Sequence, residues 1–196
     1  MIFLFDLGGV FFDWDPNHFF KDIFDKDEER EYFLTEVCND EWNIQQDAGR
    51  TIKEAEAVLI PKFPQYEKQI KMYYQNHRKM IRGTFNSSIK VLDKLKKKNY
   101  ECYVLSNWSA ETFVGMKDDY PFLQSFNGLL ISGEDNLMKP DVAIYELAIS
   151  RFNLIPQETV FIDDKLENIE AAKKLNLKTI HLVDPNIIEL EIDKFI

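Results

Sequence analysis

The chain has 196 residues, enough for one well-buried domain or one domain carrying a modest insertion. Its 34 acidic residues against 24 basic ones give a net charge of −10, which opposes nucleic-acid phosphates and anionic membrane surfaces, so neither is an expected partner. No stretch approaches the roughly 18 apolar residues of a spanning helix, and the first apolar run stops at Asp6, too soon for a signal-peptide core, so a soluble cytoplasmic protein, monomeric or weakly dimeric, is the expectation.

Ile2 to Asp6 reads as a buried strand that delivers a carboxylate into the tight turn Gly8-Gly9. Trp14 to Thr84 has helical periodicity, few strand signals and many aromatic residues. It is read as an inserted helical cap, residues 14–84, on a core made of residues 1–13 and 85–196. Within it Gly49 suits a helix end, and the polar stretch Glu41 to Arg50 is the expected seat of substrate choice. Trp42 there has two readings, a ring stacked on a bound substrate or a member of the cap's own core.

Past the cap, Ser87 or Ser88 is positioned to cap a helix through Ile89, Leu92 and Leu95, with Lys96 to Lys98 near its negative end. Tyr100 to Leu105 reads as a strand running into Ser106-Asn107, and Gly128 to Ile131 as another. Pro140 suits the first turn of a helix through Ile144, Leu147 and Ala148. Val160 to Asp163 is a strand running into Asp163-Asp164, Leu166 to Leu175 a helix, and Thr179 to Val183 the last strand. This alternation predicts an α/β fold, a Rossmann-like three-layer core with a parallel sheet between helices. Cys38 and Cys102 have no metal spacing and are expected to be reduced thiols. His18, His77 and His181 likewise show no ligand spacing, and His77 and His181 are read as structural.

Three apolar runs therefore end in polar residues at what would be the ligand-binding edge of a parallel sheet. Phe5-Asp6-Leu7-Gly8-Gly9-Val10, Leu105-Ser106-Asn107, Lys139-Pro140-Asp141 and Phe161-Ile162-Asp163-Asp164, in that order, resemble the four motifs of the haloacid dehalogenase-like hydrolases. The cap placed after the first motif makes the chain similar to bacterial sugar-phosphate phosphatases such as the α-D-glucose-1-phosphate phosphatase group.

The resemblance implies a phosphatase acting on a small phosphorylated metabolite. Asp6 would be the nucleophile, forming an aspartyl-phosphate. Mg²⁺ would be held by Asp6, the carbonyl of Gly8 and Asp164, with Asp163 beside it, binding its waters or orienting Lys139. Lys139 would neutralise the nucleophile and the transferring oxygens, while the Ser106 hydroxyl and the Asn107 N–H would hold phosphate oxygens. Glu167 and Asn168 would support Lys139 or the metal's waters.

One position departs from the family. Phosphatases of this kind usually carry a second aspartate two residues after the nucleophile, as general acid and base, and here that residue is Gly8. Such a group contributes about 10² to 10⁴ in rate. Asp13, Asp15 and His18 lie close enough in sequence to replace it, Asp13 first. Two rival readings follow from the same gap: a metal-free dehalogenase attacking carbon, or a non-catalytic sensor of a phosphate ligand. The clustered anions Asp163-Asp164 argue against the first.

Overall fold

The computed structural model describes residues 1–196. Its strands, in chain order, are β1 (Ile2–Phe5), β2 (Phe12–Trp14), β3 (Ile81–Thr84), β4 (Glu101–Ser106), β5 (Gly128–Ile131), β6 (Thr159–Asp163) and β7 (Lys178–His181). Five of them form one parallel sheet in the order β5-β4-β1-β6-β7. β1 lies at the centre, and the chain winds to one side of it first and to the other side afterwards. That reversal opens a crevice at the C-terminal ends of β1, β4 and β6, where Asp6, Asn107 and Asp164 follow.

The central strands are apolar at nearly every position because both faces are covered. Phe3 and Phe5 point to one face, against Val91, Leu92 and Leu95 of the helix Asn86–Lys97. Leu4 points to the other, against Ile144, Tyr145 and Ala148 of the helix Val142–Arg151 and Ile169 of the helix Leu166–Lys174. β6 is buried along its whole length, Asp163 included. Three helices leading back into the sheet are followed by Asn99, Asn153 and Asn176, at φ of 60°, 51° and 61°. Asparagine tolerates this left-handed conformation and so lets the chain leave the helix.

Two local expectations are corrected. The helix after residue 85 starts at Asn86, with Phe85 as the residue before it, so neither Ser87 nor Ser88 caps it. Ser88 is buried and its hydroxyl donates instead to the carbonyl of Val10 at 2.6 Å, tying the helix to the turn after β1. Pro140 precedes the next helix rather than starting it. That helix begins at Val142, and the Asp141 side chain caps it by accepting from Ala143 N–H at 3.0 Å.

Strand structure also occurs at both ends of the region read as a helical cap. β2 and β3 pair antiparallel, Phe12 opposite Thr84 and Trp14 opposite Ile81, with a register shift between Asp13 and Trp14. Ile81-Arg82-Gly83-Thr84 has little strand character of its own; its partner supplies it. This ribbon carries the chain away from the sheet and back.

Between its legs, helices Asn17–Phe20, Asp27–Tyr32, Asp40–Asp47, Ile52–Leu59 and Glu67–Gln75 enclose a separate cluster including Phe20, Phe33, Ala55, Ile70 and Tyr73. Trp42 belongs to this cluster. It is 7 % exposed, its indole N–H donates to the Ala55 carbonyl at 3.2 Å, and its ring lies against Tyr73 and Tyr74. The stacking role on a substrate is thereby corrected: the helix turns Trp42 inward and leaves Asn43, Ile44 and Asp47 on the crevice side.

The helical part sits closed on the sheet domain. The Ile52 N–H donates to Glu111 at 2.7 Å, and Arg78 bonds Asp119 at 3.0 Å and the Thr112 carbonyl at 2.7 Å. Gly49, at φ +100°, packs so tightly on Asn136 that a Cβ there would overlap the asparagine side chain. Both cysteines are free and buried.

Candidate active site

Asp6 is held by three donors, all on Oδ1: the Leu7 N–H at 2.7 Å, the Ser106 hydroxyl at 2.6 Å and the Lys139 ammonium at 3.0 Å. Oδ2 accepts no hydrogen bond from the protein. Lys139 is fully buried and reaches Asp163 at 2.7 Å, so one ammonium bridges two carboxylates from neighbouring strands. Asp163 is further fixed by the Lys165 N–H at 2.8 Å and by the Asn168 amide at 3.0 Å to each oxygen.

Lys139 itself is positioned by Asn107, whose side-chain amide donates to the Lys139 carbonyl at 2.9 Å and accepts from the Lys139 N–H at 2.8 Å. The motif assigns a role only to the Asn107 backbone N–H, and this two-point clamp across 32 residues carries no local signal. The Ser106 hydroxyl likewise points at Asp6, whereas the expectation was a contact with substrate. Glu167 is exposed and lies off the crevice wall, while Asn168 lines it.

Burial pushes the Asp6 carboxyl up to about 6, with Asp163 and Asp164 adding to the rise and Lys139 and Ser106 opposing it. Burial also raises Asp164, reinforced by Asp163. Desolvation alone would lower Lys139, but the carboxylates of Asp163 and Asp6 outweigh it and hold the amine above its ordinary range, charged. Three carboxylates thus face one buried ammonium.

Carboxylate oxygens of Asp6, Asp163 and Asp164 lie within 4.8 Å of one another. Asp163 is already committed to Lys139 and Asn168, which leaves Asp6 Oδ2 and Asp164 as the available oxygens. Hard oxygen donors with surplus negative charge fit a magnesium ion. Gly9, at φ +66°, makes room for Asp164: a Cβ there would come within 2.6 Å of its carboxylate.

The crevice encloses a cavity of about 360 Å³, within the size range of small-ligand sites. Asp6, Gly8, Lys139 and Asp164 line its floor, and Asn43, Ile44 and Asp47 of the helix Asp40–Asp47 line its roof. Trp14, His77 and Trp108 form a wall, and Trp14 Nε1, His77 Nδ1 and Trp108 Nε1 are buried without a partner in the protein. Burial pushes His77 down to about 4, assisted by Arg78, so its ring is neutral near pH 7.

Two acids near Gly8 differ sharply. Asp13 binds Arg82 at 2.6 Å and His18 at 3.0 Å, and although burial works the other way, these partners hold its carboxyl below the ordinary value. Asp47 is part-buried, and burial together with the charge of Asp6 pushes it up to about 7 against the pull of Lys165, the Ser109 backbone and Lys139. In the sequence Asp47 is one polar residue among several between Glu41 and Arg50. A Cβ on Gly8 would meet nothing within 4 Å.

Known proteins resemble the chain in sequence and fold. The sesquiterpene phosphatase astK of Aspergillus oryzae is 24 % identical over 181 residues, covering 92 % of this chain and 89 % of that protein. The HAD family enzyme bt-2542 of Bacteroides thetaiotaomicron superposes with a TM-score of 0.70 at 26 % identity, over 91 % of each chain. That enzyme has also been crystallised with magnesium and inorganic phosphate, in a structure with a TM-score of 0.68 and 25 % identity. An L-2-haloacid dehalogenase from Xanthobacter autotrophicus shares the fold at a TM-score of 0.62 and 14 % identity, over 91 % of this chain and 76 % of that one. The sequence profile of the haloacid dehalogenase-like hydrolases matches residues 4–182, and the chain belongs to that family.

Proposed function

We propose that the protein is a magnesium-dependent phosphatase that hydrolyses a small phosphomonoester through an aspartyl-phosphate on Asp6. The observation that carries this reading is the buried Lys139 ammonium shared by Asp6 and Asp163, beside an Asp164 carboxylate whose oxygen lies within 4.8 Å of theirs. A dehalogenase working without a metal gains nothing from three clustered anions facing a carboxylate-bearing substrate. A phosphate dianion is repelled by this cluster unless a cation offsets its charge. Asp6, Asp164 and the Gly8 carbonyl would hold magnesium, which when bound supplies positive charge to the transferring phosphoryl oxygens.

Asp6 attacks phosphorus, and its carboxylate is oriented for this by the Leu7 N–H, Ser106 and Lys139. Lys139 offsets charge that accumulates on the phosphoryl group, and Asn107 keeps it in place. The closed cap shields the cavity from bulk solvent and leaves room for the single water that hydrolysis consumes. The wall of Trp14, His77 and Trp108 offers flat apolar faces and neutral nitrogens with no protein partner, which suits an uncharged, hydroxyl-bearing body such as a sugar. The phosphatase among the relatives supports the reaction class.

The test is hydrolysis of an aryl phosphate by the purified protein. Activity is expected to vanish with chelator and return with magnesium. Full activity in chelator overturns the reading.

A further inference from the structure

The proposed reaction needs a proton at the leaving oxygen, and Gly8 cannot supply one. The carboxylates lining the cavity are those of Asp6, Asp13, Asp40, Asp47 and Asp164. Asp6 and Asp164 belong to the nucleophile and cation site. Asp13 is paired with both Arg82 and His18. Asp40 is exposed in the first turn of the helix Asp40–Asp47, about 10 Å along the axis from Asp47. Only Asp47 combines a place in the cavity, partial burial and no ion-pair partner in bonding range.

Its side of the cavity is also the correct one. In-line displacement puts the leaving oxygen opposite Asp6, away from the sheet and toward the cap. We infer that Asp47, delivered by the cap, is the general acid and base of this site in place of the missing second aspartate. This rests on the phosphatase reading above.

The last turn of its helix is firmly held. Gln46 donates to the Trp42 carbonyl at 2.8 Å, Arg50 bonds Gln46 at 2.6 Å and the same carbonyl at 2.8 Å, and Gly49 abuts Asn136 on the sheet domain. Facing Asp47 are Asp6 from the end of β1, Lys139, Lys165 and the Ser109 backbone. Burial and the negative end of its own helix both favour the protonated carboxyl near neutral pH.

In the first step the Asp6 carboxylate oxygen bonds to phosphorus, the bond from phosphorus to the leaving oxygen breaks, and that oxygen takes the proton of Asp47. In the second step the Asp47 carboxylate takes a proton from water, the water oxygen bonds to phosphorus, and the phosphorus–Asp6 bond breaks. Phosphate leaves, Asp6 is again a carboxylate and Asp47 again protonated. The acid rides on the cap, so proton transfer is available only when the cap is closed.

The experiment compares wild type with Asp47→Asn on an aryl and a simple alkyl phosphate. With the aryl phosphate, Asp47→Asn is expected to release a burst of phenolate equal to the enzyme present, then turn over slowly while the phosphoryl-protein accumulates by intact mass. With the alkyl phosphate its rate is expected to fall about 10² to 10⁴-fold. The burst itself reports that the variant is folded. Adding Gly8→Asp, for which the turn has room, is expected to restore alkyl hydrolysis to Asp47→Asn. Wild-type rates on both substrates, or equal loss of the aryl burst and of alkyl turnover in folded Asp47→Asn, overturn the assignment. A wild type inactive on every phosphomonoester tested overturns the phosphatase reading and the assignment with it.

Discussion

Asp6 gathers three donors on one oxygen and leaves the other without a hydrogen bond, an arrangement that fixes the direction of a nucleophile at the cost of placing it among like charges. Asp6→Asn keeps the shape and removes the nucleophilic charge. Turnover is expected to fall at least about 10⁴-fold, the scale on which enzymes respond to loss of a nucleophile, with the fold intact by circular dichroism. Beryllium fluoride is expected to bind the unmutated protein as a phosphoryl mimic and to fail on Asp6→Asn, as read by thermal shift. Asp13 offers the contrasting case. Asp13 is 23 % exposed and its partner Arg82 is open to solvent, so Asp13→Asn is expected to cost under about 1 kcal/mol in chemical denaturation. Rates on aryl and alkyl phosphates are expected to change by the same factor in that variant; selective loss on the alkyl phosphate would give Asp13 the acid role after all.

At the scale of elements, the ribbon of β2 and β3 joins two separately packed clusters, and Arg78 latches the far side. Its guanidinium reaches the Thr112 and Val114 carbonyls and Asp119, all on the sheet domain. Arg78 is partly exposed, so its removal is expected to cost about 1–2 kcal/mol of latching free energy rather than the full value of charged hydrogen bonds. Arg78→Ala is therefore expected to speed amide exchange in the helix Ile52–Leu59 and raise KM several-fold, with exchange in β1 and β6 unchanged. Equal acceleration in the sheet would mean that Arg78 stabilises the whole fold instead of the closed cap.

At the scale of the whole molecule, buried titratable groups pull stability in opposite directions with pH. His77 has a folded-state pKa pushed down from 6.5 to about 4. Its neutral form therefore contributes stability that is present above about pH 6.5 and is lost as pH falls toward 4, on the order of 1–3 kcal/mol. Asp6 and Asp47, raised to about 6 and about 7, contribute with the opposite sign: stability present below the ordinary carboxylate range and lost as pH rises through those values. The wild-type curve mixes these effects. The difference between wild type and His77→Gln isolates the histidine, and is expected to shrink as pH is lowered from 6.5 to 4 in urea denaturation. A difference independent of pH would remove His77 from this role.

Much of the sheet was legible because its signals are local. A central parallel strand buried on both faces must be apolar at successive positions, and Ile2-Phe3-Leu4-Phe5 and Val160-Phe161-Ile162 are so. The polar residues that end such runs mark the crevice wherever the winding reverses, which is why Asp6, Ser106-Asn107 and Asp163-Asp164 stand out in the sequence. The lysine run closing the helix Asn86–Lys97 also follows from a local rule, the attraction of cations to the helix's negative end.

What the sequence alone determined is thus the alternation of strand and helix, the family's motif residues and the gap at Gly8, each written within a few neighbouring positions. Tertiary structure alone decided the ribbon, the inward turn of Trp42, the Asn107 clamp on Lys139 and the arrival of Asp47 above Asp6. The helix Asp40–Asp47 has only Trp42 and Ile44 as apolar residues, too few to dictate which face turns inward. The clamp joins residues 32 apart, and β3 owes its conformation to β2. Such features arise when distant segments pack, so their signal resides in pairs of positions that no single stretch of chain contains.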